Sequence, residues 1–208
     1  MKKEIFTMKK LVALLLATAM MFTCVACGGN GGNADNNDSV KVEITDATEL
    51  LTKVWAEYTA SASEDLQFPI GGGDPENMSF EGPAKYDVTA TDAAEGLTAT
   101  YCVPADVIEK ADDFATGVHM MMSNNFATVA LHVTDAANTE AVVTAVKDAT
   151  INNQWMCGMP EKLIVVTVGE DYVVSAYGLG SLIDVYKTAI TTVYGDAAVV
   201  SVEENLAQ

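Results

Sequence analysis

Few residues in this sequence have side chains suited to chemistry, and the histidines number only two. His119 and His132 lie on two stretches that read as the strands of one hairpin. Two histidines that face each other, together with one carboxylate, can hold zinc. A histidine in a strand is more often a packed or a surface residue, so we assign no metal site.

Cys102 and Cys157 both lie in loop-like segments. Outside the membrane, two cysteines in one small domain permit a single disulfide. Such a bridge would close a loop of about 55 residues and contribute about 4 kcal/mol in the chain-entropy model. Two separate buried thiols are the alternative. A third interpretation pairs Cys102 or Cys157 with a histidine, as in a thiol-dependent hydrolase or redox protein.

Two glycine-rich segments resemble nucleotide-binding loops only in part. Gly71–Gly73 has no following Lys-Ser/Thr pair and no helix start, both of which a phosphate loop needs, so we interpret it as a structural turn. Gly178-Leu179-Gly180 has Ile183 where a dinucleotide fingerprint carries its third glycine. Neither segment predicts a cofactor.

Three consecutive methionines, Met120, Met121 and Met122, come just before an asparagine-containing turn at Asn124. Methionine side chains adapt to irregular partners and are common at promiscuous binding surfaces. Met120, Met121, Met122 and Asn124 therefore form a candidate binding surface. A buried core strand is the alternative interpretation.

The N-terminus has the pattern of a lipoprotein signal. Lysines at positions 2, 3, 9 and 10 precede an apolar run that begins at Leu11, and small residues follow just before Cys27. The pattern predicts a signal peptide over residues 1–26 and lipidation of Cys27, which would anchor the chain without spanning the bilayer. Met8 offers a second translation start.

The residues that follow Cys27 are typical of a tether. Gly28–Ser39 contains no large apolar side chain that could offset the entropy of ordering it. We therefore predict a lipidated cysteine and flexible linker over residues 27–39 and one globular domain over residues 40–208.

The charge of the chain excludes one class of partner. The 208 residues carry 29 acidic side chains against 11 lysines, with no arginine, for a net charge of -18. Binding to nucleic acid needs a cationic face that displaces counterions, and this composition lacks one. We expect a membrane contact through the lipid on Cys27 and a protein, peptide or envelope partner, but no nucleic acid.

The elements that position these residues follow from caps and hydrophobic periodicity. Asp46 is a natural N-cap with Glu49 as its box partner, and an apolar stripe from Leu50 to Tyr58 follows. The predicted helices are Asp46–Ser61, Asp92–Thr100, Pro104–Phe114, Ala137–Ile151 and Ser181–Tyr194. The predicted strands are Val118–Met122, Phe126–Val133, Leu163–Val168, Tyr172–Tyr177 and Ala198–Val202. Tyr86–Ala90 is either a short strand or an extended connector.

In the predicted order of helices and strands, a β-hairpin followed by a helix occurs twice. The order predicts the α+β class, with a mostly antiparallel sheet of four to five strands. We expect the helices to pack on one face of that sheet.

Several segments together resemble a known family of small lipoproteins from Gram-positive bacteria. They are Tyr101–Val107, the methionine run and Thr128–Asp135, and they are similar to domain of unknown function 4358. The resemblance covers roughly Ala47–Val193. Some members are labelled bacteriocin transport accessory protein. The resemblance implies a surface lipoprotein and carries over no catalytic residue.

These observations lead to one expected function and one alternative. We expect a lipid-anchored extracytoplasmic protein on the cell membrane that binds a partner, without enzymatic activity and without a cofactor. The alternative is a secreted thiol-dependent hydrolase or redox protein that uses Cys102 or Cys157 with a histidine.

Overall fold

The computed structural model describes residues 43–121, 124–155 and 158–206, which form five α-helices and seven β-strands. The helices are α1 (Ala47–Ser61), α2 (Ala93–Tyr101), α3 (Ala105–Ile108), α4 (Thr139–Ile151) and α5 (Gly180–Tyr194). The strands are β1 (Ile70–Gly71), β2 (Ala84–Lys85), β3 (Ala111–His119), β4 (Ala127–Val133), β5 (Lys162–Val168), β6 (Tyr172–Gly178) and β7 (Ala198–Asn205).

All described strands belong to one antiparallel sheet. Its order is β1-β3-β4-β6-β5-β7, and β2 pairs with β3 beside β1. The α+β class and the antiparallel sheet are therefore confirmed. The sheet has seven strands instead of four to five, because the segment between α1 and α2 contributes two strands of two residues each.

The helices cover both faces of the sheet, whereas the sequence analysis placed them on one. The side chains of Ile164 and Val166 pack with α1 and α5, and those of Leu163 and Val165 pack with α2, α3 and α4. Because successive side chains of a strand point to opposite faces, an unbroken apolar strand needs a layer on each side. Leu163–Val168 is such an unbroken apolar run.

The start of α1 confirms the predicted cap. Asp46 Oδ1 accepts a hydrogen bond from the backbone N–H of Glu49 at 2.7 Å. The Glu49 carboxylate reaches back to accept one from Thr45 N at 2.8 Å. Two backbone donors at the helix start are thereby satisfied, as in a capping box except that Glu49 binds the residue before the cap instead of the cap itself.

The predicted helix Pro104–Phe114 is wrong beyond its first turn. Helix α3 ends at Ile108, and β3 begins at Ala111. Phe114 lies opposite Leu131 of β4, so pairing with a distant strand overrides the local helical pattern. Of the two interpretations of Tyr86–Ala90, the connector is the one found, because pairing with β3 involves Ala84–Lys85 and ends with a bond from Tyr86 N to Phe114 O.

Candidate functional site

A cavity of about 300 Å³ lies at the end of the β3–β4 hairpin. Five parts of the chain meet around it: the last turn of α2, the end of β3, the start of β4, the segment after α4 and the end of β6. Its lining residues are Ala99, Thr100, Val118, Asn125, Phe126, Ala127, Asn153, Gln154, Trp155, Gly158 and Tyr177. We call it the hairpin cavity.

One wall of the hairpin cavity is aromatic. The Trp155 and Tyr177 rings meet edge to face, with centroids 4.9 Å apart. The Tyr177 hydroxyl donates a hydrogen bond to the carbonyl oxygen of Thr100, and burial raises the pKa of Tyr177 far above its usual range. The hydroxyl therefore stays protonated and fixes the ring as a wall.

None of the described residues that line the hairpin cavity is charged. Asn125, Asn153 and Gln154 supply the amide groups around the aromatic wall. Aspartate, glutamate and lysine together make up 19% of the chain, so an uncharged lining stands out from the rest of the protein. Such a site suits a neutral ligand with an apolar body, and its lining supplies no general acid or base near neutral pH.

Cys102 lies behind one of these amides. Asn153 Nδ2 donates to Cys102 Sγ at 3.5 Å, and burial raises the pKa of the thiol to about 11. A thiol with this pKa is almost fully protonated at neutral pH, which opposes its use as a nucleophile. Cys102 is buried and forms no disulfide with a described residue. Its predicted disulfide partner, Cys157, lies outside the described residues, so the bridge stays a prediction.

The β3–β4 hairpin is present, but the two histidines do not face each other across it. His132 lies opposite Asp113 on β3, whereas His119 is six residues further along that strand. Six strand residues span about 20 Å, which is too far for one zinc ion. Across the ranges given above, no three histidine, cysteine or acidic side chains are grouped so as to hold a metal ion.

Neither histidine is placed to activate Cys102. His132 is bound on both sides, by Asp112 at Nδ1 (2.6 Å) and by Asp171 at Nε2 (3.4 Å). His119 packs edge to face on Phe68 in the core under α1, and its buried Nδ1 atom has no partner. Cys102 belongs to the core on the other face of the sheet. The Cys102–histidine pair of the alternative reading is therefore not formed, and for Cys157 no placement is described.

The predicted methionine surface lies next to the hairpin cavity. Met121 is 76% exposed, while Met120 and Asn124 are half-buried, and Met122 lies outside the described residues. Asn124 Oδ1 accepts a hydrogen bond from Phe126 N at 3.1 Å, which shapes the turn into β4. The chain therefore continues directly from this surface into the cavity lining.

The triple glycine is packed against backbone. A Cβ atom on Gly72 would lie 2.1 Å from Thr116 O and 2.6 Å from Ala84 N, and Gly73 has a φ of +99°. The loop is closed by buried Asp74, whose carboxylate accepts from Glu76 N at 2.9 Å and from Asn77 N at 3.0 Å. This geometry agrees with a structural turn.

Trp155 and Tyr177 were not among the residues that the sequence analysis selected. A signal for Trp155 was present, because it follows Asn152-Asn153-Gln154, and a tryptophan in an amide-rich loop has no core helix or strand to occupy. Tyr177 gave no signal, because it ends an apolar strand.

Comparison of the chain with protein-family models, with curated proteins and with solved structures gives no match. The resemblance drawn from the sequence therefore stays a prediction. In the described part of the chain, no helix combines the length and the apolar character that crossing a bilayer requires.

Proposed function

We propose that this chain is a lipid-anchored binding protein on the extracytoplasmic side of the cell membrane, and that it takes an uncharged, largely apolar ligand group into the hairpin cavity. The observation that carries the binding role is the uncharged aromatic lining in a chain with a net charge of -18. An apolar group that enters the cavity leaves water without having to desolvate a charge of the protein.

The anchor of the proposal rests on the sequence around Cys27, which lies outside the described residues. Lipidation there would hold the acidic domain at the membrane through acyl chains alone. Metabolic labelling with an alkyne fatty acid, followed by mass spectrometry, tests it. We expect label on Cys27 of the wild-type chain and none in a Cys27→Ala variant. An intact leader on the wild-type chain, or recovery of that chain in the cytosol, would contradict the anchor.

Binding in the hairpin cavity is tested with a neutral probe, N-phenyl-1-naphthylamine, whose fluorescence rises in apolar surroundings. Ala99 is exposed on α2 and lines the cavity, whereas Ala94 is exposed on the same helix outside it. We expect Ala99→Trp to weaken probe binding at least tenfold because the indole fills the cavity, and Ala94→Trp to leave binding unchanged. Equal binding by the two variants, or no binding by the wild-type chain, would refute the site.

A sulfonated naphthylamine tests whether the hairpin cavity prefers an uncharged ligand. The negative charge of that probe has no cationic partner in the cavity lining, so we expect it to bind more weakly than the neutral probe. Binding of the two probes with equal affinity would show that the uncharged lining does not select the ligand.

A further inference from the structure

Among the described residues, no strand pairs with the outer edge of β7, so that edge of the described sheet is open. Seven of the eight residues of β7, Ala198–Asn205, have a partner on β5, Ser201 is skipped at a register shift, and β7 ends the strand order. At the other end of the order, the outer side of β3 is covered by the two-residue strands β1 and β2. Proteins usually blunt or cover a long edge strand, because its free N–H and C=O groups can pair with another chain.

The open edge carries apolar side chains. Val199 is 57% exposed and Val200 is 36% exposed, and being neighbours in a strand they project from opposite faces of the sheet. Val199 lies opposite Thr167, and Val200 lies opposite Val166. A strand added beside β7 would cover both valines, whereas a single contact on one face would cover only one.

A groove of about 570 Å³ runs beside this edge, between α4 and strands β5 and β7. Thr139, Val143 and Thr144 of α4 form one side of it. Thr167, Ser201 and Val202 form the other, where the hydroxyl oxygens of Thr167 and Ser201 are 3.0 Å apart. Every second side chain of an added strand would project on this face, which is how strand addition combines backbone pairing with side-chain recognition.

The charges at this edge favour a cationic partner. Glu203 of β7 is already bound by Lys162 and Lys187, at 2.6 Å and 2.8 Å. Its neighbour Glu204 is exposed and lies opposite Leu163, on the face that carries the groove. Glu140 and Lys147 line the groove, and the Lys147 ammonium group is already paired with Asp148 at 3.3 Å. A second copy of this chain would bring its own net charge of -18, which repels, whereas a lysine-bearing segment would be attracted.

We propose that β7 binds an extended, lysine-bearing segment of a partner protein, which adds as a further strand of the sheet and places alternate side chains in the groove beside α4. This inference is independent of the hairpin cavity. It identifies a second surface for a partner of a different chemistry.

The test uses the full-length chain in detergent and a fluorescein-labelled peptide of eight residues in which valine and lysine alternate. We expect saturable binding by fluorescence anisotropy and slower hydrogen exchange at the β7 amides. A valine–glutamate peptide of the same length should bind at least tenfold more weakly. A valine–lysine peptide with a central proline should also bind more weakly, because it lacks a backbone donor.

Two lysine substitutions with equal charge provide the protein control. Val199→Lys places a charge on the exposed edge, while Thr192→Lys adds the same charge at an exposed position of α5. We expect Val199→Lys to weaken peptide binding at least tenfold and Thr192→Lys to change it less than twofold. Equal losses in the two variants would show non-specific charge attraction and overturn the proposal. A dimer of the wild-type chain with protected β7 amides would overturn it as well, since the occupant would then be a second copy.

Discussion

The Nδ1 atom of His132 on β4 lies 2.6 Å from Oδ1 of Asp112 on β3, so a side-chain contact joins the two strands at the end of the hairpin away from the cavity. Asp171, in the turn between β5 and β6, contacts the other ring nitrogen. The imidazole therefore lies between two carboxylates. Its protonation affects how well this end of the sheet is held together.

The first prediction concerns the pH dependence of that contact. Burial lowers the pKa of His132, but the Asp112 and Asp171 carboxylates outweigh burial, and the pKa is raised above 6.5. When the pKa of a histidine is higher in the folded state than in the unfolded state, its protonation stabilises the fold. This stabilisation is present in full below about pH 6.5, the unfolded-state pKa, and is lost as the pH rises through the folded-state pKa. In urea unfolding, we expect the free energy of unfolding of the wild-type chain to fall between pH 6 and pH 8. The His132→Gln variant should show a smaller fall over the same range. An identical loss in wild type and variant would contradict this.

The second prediction separates steric from conformational effects at two glycines. Gly72→Ala places a Cβ against backbone atoms of Thr116 and Ala84, which cannot move away easily. Gly169→Ala meets nothing within 4 Å but must adopt a φ of +68°. We expect a loss of about 3 kcal/mol or more for Gly72→Ala and about 1 kcal/mol for Gly169→Ala, measured by chemical denaturation. A smaller loss at Gly72 than at Gly169 would be inconsistent with the described loop.

The third prediction concerns the buried carboxylate of Asp74. Burial raises its pKa, but hydrogen bonds from Glu76 N, Asp87 N and Asn77 outweigh burial, and the pKa is lowered below 3.8. Asp74→Ala leaves these donors without an acceptor, so we expect a loss of about 2 kcal/mol or more in the free energy of unfolding. Glu81→Ala, at an exposed residue of the same loop, is the matched control and should change stability by less than about 0.5 kcal/mol.

The wild-type contribution of Asp74 also has a defined pH range. Because the folded-state pKa is lowered, the stabilisation is present above the ordinary carboxyl range and is lost as pH falls through the folded value. Acid unfolding of Asp74→Ala should therefore show a shallower dependence below pH 4. If the free energy of unfolding fell equally steeply with acid in the variant and in wild type, the protonation of Asp74 would not be linked to unfolding.

The fourth prediction concerns the thiol of Cys102. With its pKa raised to about 11 by burial, its thiolate is scarce at pH 8. We expect iodoacetamide to alkylate Cys102 about a hundredfold more slowly in the folded chain than in urea, resolved by peptide mass spectrometry. A Cys102–Cys157 bridge would instead block alkylation in urea until a reductant is added. Rapid modification of the folded chain would contradict the burial of the thiol.

Cys102 also occupies an unusual backbone conformation for its residue type. Its φ of +55° lies in the left-handed region, and Cys102 is the C-cap residue directly after α2. Left-handed backbone at a helix end is the position that most often carries glycine. No local signal at Cys102 predicts this conformation, because nothing in the residue type favours it.

Much of the local structure followed from the sequence, for reasons that operate over a few residues. Asp46 caps α1 as expected, because a carboxylate at that position satisfies donors within one turn. The hairpin of Leu163–Val168 and Tyr172–Tyr177 was confirmed, because a continuous apolar run between turn residues cannot be left in water. These features depend on neighbours along the chain, which the sequence displays directly.

The sites depended on contacts between distant residues. Phe114 became part of a strand because Leu131 lies opposite it, and the register of that hairpin separates His119 from His132. Trp155 and Tyr177 meet only because the segment after α4 reaches the end of β6. The sequence by itself determined caps, turns and the α+β class, since these follow from local hydrogen bonding and hydrophobic periodicity. Tertiary structure alone decided the cavity, the open edge of β7 and the partners of each histidine, because strand register and the order of strands are set by packing between residues far apart in the chain.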